Sequence, residues 1–141
     1  MADHEDRAAI AELVRTFFAA FVSGTDSASR LDALRAILHP RAVIVRTCGG
    51  EPAVYAVDDF IAPRRELLSS GRLTGFSEWE LSGRTEVYGD IAQHFCGYAK
   101  SGVQDGVPFT GQGMKTFQFV RTVAGWRIIA AAWDDAPEDR G

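Results

Sequence analysis

The chain begins with apolar residues at helical spacing. The repeat places them on one face of an amphipathic helix, with Glu12 and Arg15 on the opposite face. Asp3 is the expected N-cap, and Gly24 is where this helix should end. The apolar positions are Ile10, Leu13, Val14, Phe17 and Phe21.

A second, shorter apolar repeat predicts a helix that stops before a proline. Ser29 and Asp32 stand at its start in the spacing of a capping box. His39-Pro40 ends the run, because proline disfavours a helical residue before it. The apolar positions of this helix are Leu31, Leu34, Ile37 and Leu38.

A short hairpin and a third helix are predicted next. Residues 41–48 and 51–57 have the composition of two strands around Gly49-Gly50, which is a two-residue turn signal. The third helix is expected from Asp58 or Asp59 to Ser70. Pro63 inside it favours a start at the proline itself.

From Phe76 onward the pattern is that of a sheet. Strands are predicted on both sides of a turn at Gly89-Asp90, and two long strands meet at Ala124-Gly125. A polar loop is expected over residues 101–111, around the turn pair Asp105-Gly106. The element order predicts an α+β fold: a cone-shaped, curved, mostly antiparallel sheet wrapped around about three helices from the N-terminal half.

Composition narrows the class of partner. A length of 141 residues predicts one domain over 1–141, and a net charge of -4 argues against nucleic acid. No apolar run approaches the roughly 20 residues that span a bilayer, so no membrane association is expected. Two cysteines, Cys48 and Cys96, are too few for a disulfide framework and favour the cytoplasm.

Motifs for cofactors are missing from the sequence. It contains no phosphate-binding loop, dinucleotide fingerprint or nucleophile elbow. The three histidines and two cysteines are widely dispersed, without metal-ligand spacing. Neither a cofactor nor a metal is therefore expected.

A family resemblance extends over nearly the whole chain. Its residues are the first helix up to Gly24, Leu38–Val45, Gly49–Pro52, Ala92 and Gly125–Ile128. In these segments the chain resembles the nuclear transport factor two-like fold, in its SnoaL-like and ketosteroid-isomerase-like branch. The fold by itself implies no activity, since it hosts isomerases, cyclases, hydrolases and binding modules.

The resemblance implies that ketosteroid-type isomerisation is absent. That family uses an aspartate base, with a tyrosine and a protonated aspartate that hydrogen-bond the enolate. By position, the tyrosine falls on Phe17, the base on Arg46 and the second aspartate near Lys115. Phe17 cannot donate a hydrogen bond, and Arg46 cannot act as a base because the pKa of arginine exceeds about 12.

Strand alternation within the implied cone predicts the residues of a ligand cavity. Arg46 is expected to project inward near Trp133 and Asp135. There it would clamp an acidic ligand or form a structural ion pair with Asp134 or Asp135, and the remaining alternative is the exposed end of the strand. The other predicted ligand-binding residues are Trp133, Phe17, Phe95, Lys115, Phe117, Phe119 and Tyr55. Further inward positions are Ile44, Cys48, Gln93, Ile129 and Ala131.

Three residues are candidates for catalysis. Asp135 and Asp134 end the last strand, near the position where the resemblance to SnoaL-like cyclases implies an acid–base aspartate. A carboxylate against Trp133 would have a raised pKa, and the alternative is a solvated strand end. His94 is a candidate proton carrier near neutral pH, although alternation places it on the outer face, where packing is the alternative role.

Two functions follow from these observations. The first is a binding protein whose apolar, aromatic-lined cavity holds a small ligand, acidic if Arg46 binds it. The second is a cofactor-free cyclase, isomerase or dehydratase of the SnoaL-like type that uses Asp134 or Asp135 as acid or base. A homodimer is predicted through the outer sheet face, whose apolar members would be His94, Cys96, Tyr98, Met114, Val120 and Ile128.

Overall fold

A six-stranded sheet is the main element of the computed structural model, which describes residues 2–136. Three helices of this part of the chain pack against the inner face of the sheet. The helices are α1 (Ala2–Ala19), α2 (Ser27–Ile37) and α3 (Val57–Ser69). The strands are β1 (Leu38–Arg46), β2 (Ala53–Tyr55), β3 (Leu73–Tyr88), β4 (Ile91–Gln104), β5 (Val107–Thr122) and β6 (Gly125–Asp135).

The strands follow the order β2-β1-β6-β5-β4-β3 across the sheet. The last four strands of the chain form an antiparallel meander, and β2 is antiparallel to β1. Only β1 and β6 run parallel among the described pairs. The predicted α+β architecture with a mostly antiparallel sheet is confirmed.

The apolar face of α1 is buried as its spacing predicts. Ile10, Val14, Phe17 and Phe21 are buried in the core, and Leu13 packs partly against it. The Phe17 ring lies 4.9 Å from the ring of Phe117 on β5. Because burying one such side chain stabilises the fold by about 1.5–3 kcal/mol, this face anchors α1 to the sheet.

Two helix boundaries differ from the prediction. The helix α1 ends at Ala19, before Gly24, because the chain leaves the helix to pair elsewhere: Ser23 N–H donates to the Phe76 carbonyl and Gly24 N–H to the Leu68 carbonyl. The predicted capping box at the start of α2 is wrong. Asp26 occupies the N-cap position, and the Ser29 hydroxyl donates to the Asp26 carbonyl instead.

The proline inside α3 does not start the helix. The helix begins at Val57 and contains Pro63 in its interior. Proline removes the hydrogen bond to the carbonyl of Asp59, four residues earlier. Both residues are exposed, so water can hydrate that carbonyl.

Two of the predicted turns differ in length. Six residues separate β1 from β2, with positive φ at Cys48 and Gly49, so the two-residue hairpin is wrong. The polar loop over 101–111 is also wrong, because β4 and β5 stay paired up to Gln104 and Val107. Asp105-Gly106 alone forms that turn, and both residues have the positive φ that a two-residue hairpin requires.

Strand alternation is inverted on β4 relative to the prediction. His94, Cys96 and Tyr98 face the interior and are buried, whereas Gln93 and Phe95 point outward, with Phe95 50% exposed. A one-residue error in register has this effect on every side chain of a strand. The predicted outer patch is therefore wrong for these three buried residues.

A bulge in β6 moves a further residue of that patch inward. The pairing shifts between Gln118 and Phe119, whose partners on β6 are Ala130 and Ile128, so that Ile129 is the extra residue. As a result Ile128 and Ala131 are both buried. Met114 and Val120 remain on the outer side of the sheet, as predicted.

No helix in the described part of the chain combines the length and the hydropathy that crossing a bilayer requires.

Candidate functional site

A cavity of about 200 Å³ lies between α3 and the sheet. Its wall combines aromatic and aliphatic side chains with four basic residues and one carboxylate. The lining residues are Phe21, Arg46, Phe60, Arg64, Leu67, Leu68, Leu73, Phe76, Glu78, Lys100, Gln104, Phe109, Lys115 and Trp133.

Lys115 is the most enclosed of the basic residues. It is 2% exposed, and its ammonium lies 4.1 Å from the ring centre of Tyr98 and 4.2 Å from that of Trp133. Its Nζ lies 3.2 Å from Oε1 of Glu78. Burial lowers the pKa of Lys115, and the nearby Glu78 carboxylate opposes that shift.

Asp135 lies behind this wall in a network of its own. Its carboxylate accepts a hydrogen bond from the Tyr98 hydroxyl and another from the Cys48 thiol, and it lies 3.1 Å from Lys100 Nζ. Burial by itself raises the pKa of Asp135, but the hydrogen bonds from Tyr98 and Lys100 outweigh it and hold that pKa below its ordinary value. The expected raised pKa is wrong, because hydrogen bonds to the charged form favour it.

The two arginines of the cavity wall have different surroundings. Arg46 lies exposed at the end of β1, beside Trp133, its parallel partner on β6. Arg64 on α3 lies over the Phe60 ring, 3.7 Å from its centre, and donates to the Phe60 carbonyl. Burial lowers the pKa of Arg64, and the positive charge of Arg46 acts in the same direction, so the two groups are close enough to interact.

Neither arginine has a carboxylate partner within residues 2–136. The salt bridges of this part of the chain leave out both Arg46 and Arg64. The alternative in which Arg46 pairs with Asp135 is therefore wrong. Asp135 is occupied by Tyr98 and Lys100 instead.

The predicted ligand-binding residues fall into three groups. Arg46, Lys115 and Trp133 line the cavity. Tyr55 lies just behind it, with Arg64 5.5 Å from its ring centre. The remaining residues do not line the cavity: Phe17, Phe117 and Phe119 are fully buried in the core, and Phe95 is on the outer face.

The predicted catalytic residues do not converge on the cavity. Asp135 lies behind its wall, and Asp134 is on the opposite side of β6, beside Met114 of β5. His94 is buried, with Nε2 2.6 Å from Oε2 of Glu80 and Nδ1 2.7 Å from Oγ1 of Thr85. The outer-face position expected for His94 is wrong.

Sequence reasoning missed several residues of the site. Arg64 has the sequence pattern of a solvated helix residue, yet it lines the cavity. Glu78 and Lys100 face each other across β3 and β4, which only the strand register reveals. The predicted loop over 101–111 had placed Lys100 at a strand end, and no signal in the sequence pairs it with Glu78.

A curved sheet wrapped over three helices, with a basic and aromatic cavity inside, defines an α+β cone. The chain has the nuclear transport factor two-like fold. A superfamily protein of that name from Salmonella enterica superposes with a TM-score of 0.76 over 94% of this chain and 92% of its own, at 12% identity.

Other solved structures share the fold at similarly low identity. A protein from Kribbella flavida superposes with a TM-score of 0.76 at 19% identity, covering 95% of this chain and 93% of its own. A candidate aromatic ring hydroxylase from Novosphingobium aromaticivorans has a TM-score of 0.73 at 20% identity, covering 97% of each chain. No family model matches the sequence, and no curated protein matches it.

Proposed function

We propose that the protein binds a small organic anion with an aromatic or apolar body, as a binding module of the SnoaL-like kind. The observation that supports this most directly is the imbalance of charge in the cavity wall. Four basic side chains, Arg46, Arg64, Lys100 and Lys115, face one lining carboxylate, that of Glu78.

Salt bridges among the described residues account for only two of the four basic groups. Lys100 lies against Asp135, and Lys115 lies against Glu78. Within residues 2–136 neither Arg46 nor Arg64 forms a salt bridge, although the Glu78 carboxylate acts to raise the pKa of Arg64. Arginine stays protonated at any physiological pH. Two guanidinium groups beside an apolar wall favour an anion, which they can bind in bidentate geometry.

The size of the cavity favours a ligand with one ring. An apolar cavity of about 150 Å³ holds a benzene molecule. A cavity of about 200 Å³ therefore has room for a ring and a carboxylate. Phe60, Phe76, Phe109 and Trp133 supply the aromatic contacts. An aromatic ligand also agrees with the name of the Novosphingobium structure, which shares only the fold.

The enzymatic alternative has weaker support. Asp135 would be the acid or base of a cyclase, isomerase or dehydratase, but its hydrogen bonds lower its pKa and so weaken it as a base. It also does not line the cavity. Glu78 is the lining carboxylate, and it lies against Lys115.

Calorimetric titration of benzoate against benzamide tests the proposed function. The two probes share a ring, but only benzoate carries a charge, so benzoate should bind at least tenfold more tightly. Arg64→Met should weaken benzoate binding by tenfold or more, because Arg64 is half-buried and a hydrogen bond to a charged group contributes about 1.5–3 kcal/mol. Arg46→Met should weaken it less, because Arg46 is exposed and water screens its charge. Arg65→Met is the matched control, since Arg65 neighbours Arg64 on α3 but pairs with Asp32 outside the cavity.

Equal affinities for benzoate and benzamide would overturn the proposal. So would normal benzoate binding by both cavity variants. A loss of binding in Arg65→Met of the same size would show that the effect is not specific to the cavity.

We also propose that the protein is a homodimer through the outer sheet face. Exposed apolar residues on that face include Trp79, Leu81, Phe95 and Met114. Leu81 and Met114 flank Gly97, where an added Cβ would lie 3.9 Å from Leu81 and 3.6 Å from Met114, so these side chains are neighbours. A contiguous apolar patch of this kind is typical of an interface.

Sedimentation velocity tests the dimer. Phe95→Glu and Leu81→Glu should convert it to a monomer, whereas Val54→Glu, which changes an exposed residue of β2, should not. A wild-type protein that sediments as a monomer at tens of micromolar, an order-of-magnitude choice for associating apolar surfaces, would contradict the proposal.

A further inference from the structure

We propose that Glu80, His94 and Cys96 form a binding site for a divalent transition metal, with Zn²⁺ as the ion that fits best. This site is separate from the anion cavity and independent of the proposed function. Glu80 lies on β3 and is exposed, whereas His94 and Cys96 lie on β4 with buried side chains. Each offers one donor atom, and the three atoms lie within 4.8 Å of one another.

The donor set matches the chemistry of zinc. It combines a thiol, an imidazole and a carboxylate, the three side-chain types that bind Zn²⁺ in proteins. A thiolate selects against Mg²⁺ and Ca²⁺, which prefer oxygen ligands. Three protein ligands also leave one tetrahedral position for water or a small ligand.

The hydrogen bonds of the cluster hold the three donor groups close to one another. The imidazole Nε2 of His94 lies 2.6 Å from Oε2 of Glu80, and the thiol of Cys96 also hydrogen-bonds the Glu80 carboxylate. Both donors thus converge on one acceptor. A metal ion would replace these hydrogen bonds with bonds to all three residues. The thiol proton would pass to solvent, and the imidazole would lose its proton at Nε2 and carry one at Nδ1 instead.

Thr85 orients the histidine. Its Oγ1 lies 2.7 Å from Nδ1 of His94, on the side of the ring away from Glu80. When Nδ1 carries the proton, it donates to Thr85 and leaves Nε2 free to bind a metal. Ligating histidines commonly have such a partner, which fixes the tautomer and the ring orientation.

Gly83 leaves room for the donor atoms. An added Cβ at this position would lie 2.6 Å from Nε2 of His94, and closer still to the Glu80 carboxylate. Any other residue would therefore push these groups apart. Glycine at this position keeps the backbone of β3 clear beneath the cluster.

The cluster is enclosed but accessible. His94 is 7% exposed and Cys96 is 0% exposed, so a bound ion would be shielded from solvent. The Glu80 side chain is 34% exposed and can admit an ion from outside. In their sequence spacing the residues show none of the familiar zinc patterns, because His94 and Cys96 are neighbours on one strand face while Glu80 comes from the adjacent strand.

Cobalt titration of the purified protein tests the site. Co²⁺ substitutes for Zn²⁺, and a thiolate ligand produces a near-ultraviolet charge-transfer band, while tetrahedral geometry produces intense visible bands. The wild type should show both with one equivalent of Co²⁺, and Zn²⁺ should displace them. Cys96→Ser should remove the charge-transfer band, whereas Cys48→Ser should retain it, because Cys48 lies beside Asp135.

The remaining variants separate ligands from a merely structural network. Glu80→Gln and His94→Gln should weaken cobalt binding at least tenfold, and Thr85→Val should weaken it by about 10–100-fold. Arg64→Met should bind cobalt like the wild type, so failure of the anion proposal leaves this one standing. Circular dichroism and thermal unfolding without metal would show that each variant is folded, with Cys96→Ala as a replacement for a misfolded Cys96→Ser.

A wild type without the charge-transfer band overturns the proposal, as does a band that survives in folded Cys96→Ser or Cys96→Ala.

Discussion

The inner face of the sheet has two regions, one close-packed and one that contains a cavity. In the core region, defined by Phe17, Phe117 and Phe119, α1 lies directly on β5 and every side chain is fully buried. In the cavity region, defined by Phe60, Arg64 and Trp133, α3 stands above the sheet and leaves about 200 Å³ empty. The same strands pass through both regions.

The difference shows that α1 packs tightly on the sheet, whereas α3 encloses the cavity. The core region is apolar, and aromatic edges meet aromatic faces there, so it contributes stability. The cavity region contains charged residues that cost stability unless they are paired. Two pairs, Lys115–Glu78 and Lys100–Asp135, reduce that cost, while Arg46 and Arg64 form no salt bridge within residues 2–136.

Removing a phenyl ring from the core region should have the largest effect. Phe17→Ala should lower the free energy of unfolding by about 4 kcal/mol, because it leaves a void that the neighbouring rings cannot fill. Phe109→Ala, a half-buried residue of the cavity wall, should cost far less. Urea denaturation measures both. Equal losses would show that the two regions do not differ in their contribution to stability.

Breaking the Lys115–Glu78 pair should cause the next largest loss of stability. Lys115→Met leaves the enclosed Glu78 carboxylate without its partner and should cost about 3 kcal/mol. The double variant Lys115→Met with Glu78→Gln removes both charges and should recover most of that loss. If the double variant is no more stable than the single one, the pair is not what determines the cost.

The buried face of α1 could be predicted from the sequence, because it depends on a helical repeat, whereas Phe17, Phe117 and Phe119 were expected to line the ligand cavity and are buried in the core instead. Ile10, Val14 and Phe17 recur at a spacing that survives small errors in boundary. Strand alternation is less tolerant. A one-residue error on β4 exchanged Phe95 for Cys96, and the bulge at Ile129 changed the phase of β6 without any marker in the sequence.

The cavity region was largely beyond sequence reasoning. Glu78 and Lys100 are 22 positions apart in the sequence, and they lie opposite each other only because of the register between β3 and β4. Arg64 has the pattern of a solvated helix residue, and only the position of α3 over the sheet turns it inward. Arg46 was predicted because a basic residue in an apolar strand stands out, whereas charged residues in mixed segments do not.

The Asp135 network should make a smaller, pH-dependent contribution. Asp135→Asn replaces an ionised acceptor and should cost about 2 kcal/mol at neutral pH, the typical loss for a hydrogen bond to a charged group. Because the folded pKa of Asp135 lies below 3.8, its unfolded value, this stability is present above pH 3.8 and is lost as the pH falls through the folded pKa.

Urea denaturation of both proteins between pH 7 and pH 2.5 or so would check this sign, over a range that brackets the ordinary aspartate pKa. The difference between wild type and Asp135→Asn should shrink only below pH 3.8. Asp59→Asn, an exposed residue of α3, is the control and should stay within about 0.5 kcal/mol of the wild type. A difference that shrinks as the pH rises would contradict the assigned pKa direction.

The smallest effect should have the opposite sign. Arg46→Met removes a guanidinium that has no carboxylate partner in the described part of the chain and that repels Arg64. The empty protein should therefore gain about 0.5 kcal/mol of stability at low salt, within the range of surface charge effects. The gain should fall as salt is added, because ions screen the repulsion. Arg65→Met instead breaks an ion pair with Asp32 and should cost a little stability.

A variant that is both more stable when empty and weaker in benzoate binding would show that the cavity region keeps its charge at the expense of stability. If Arg46→Met destabilises the empty protein as Arg65→Met does, Arg46 has a structural partner, and the contrast between the two regions fails at this residue.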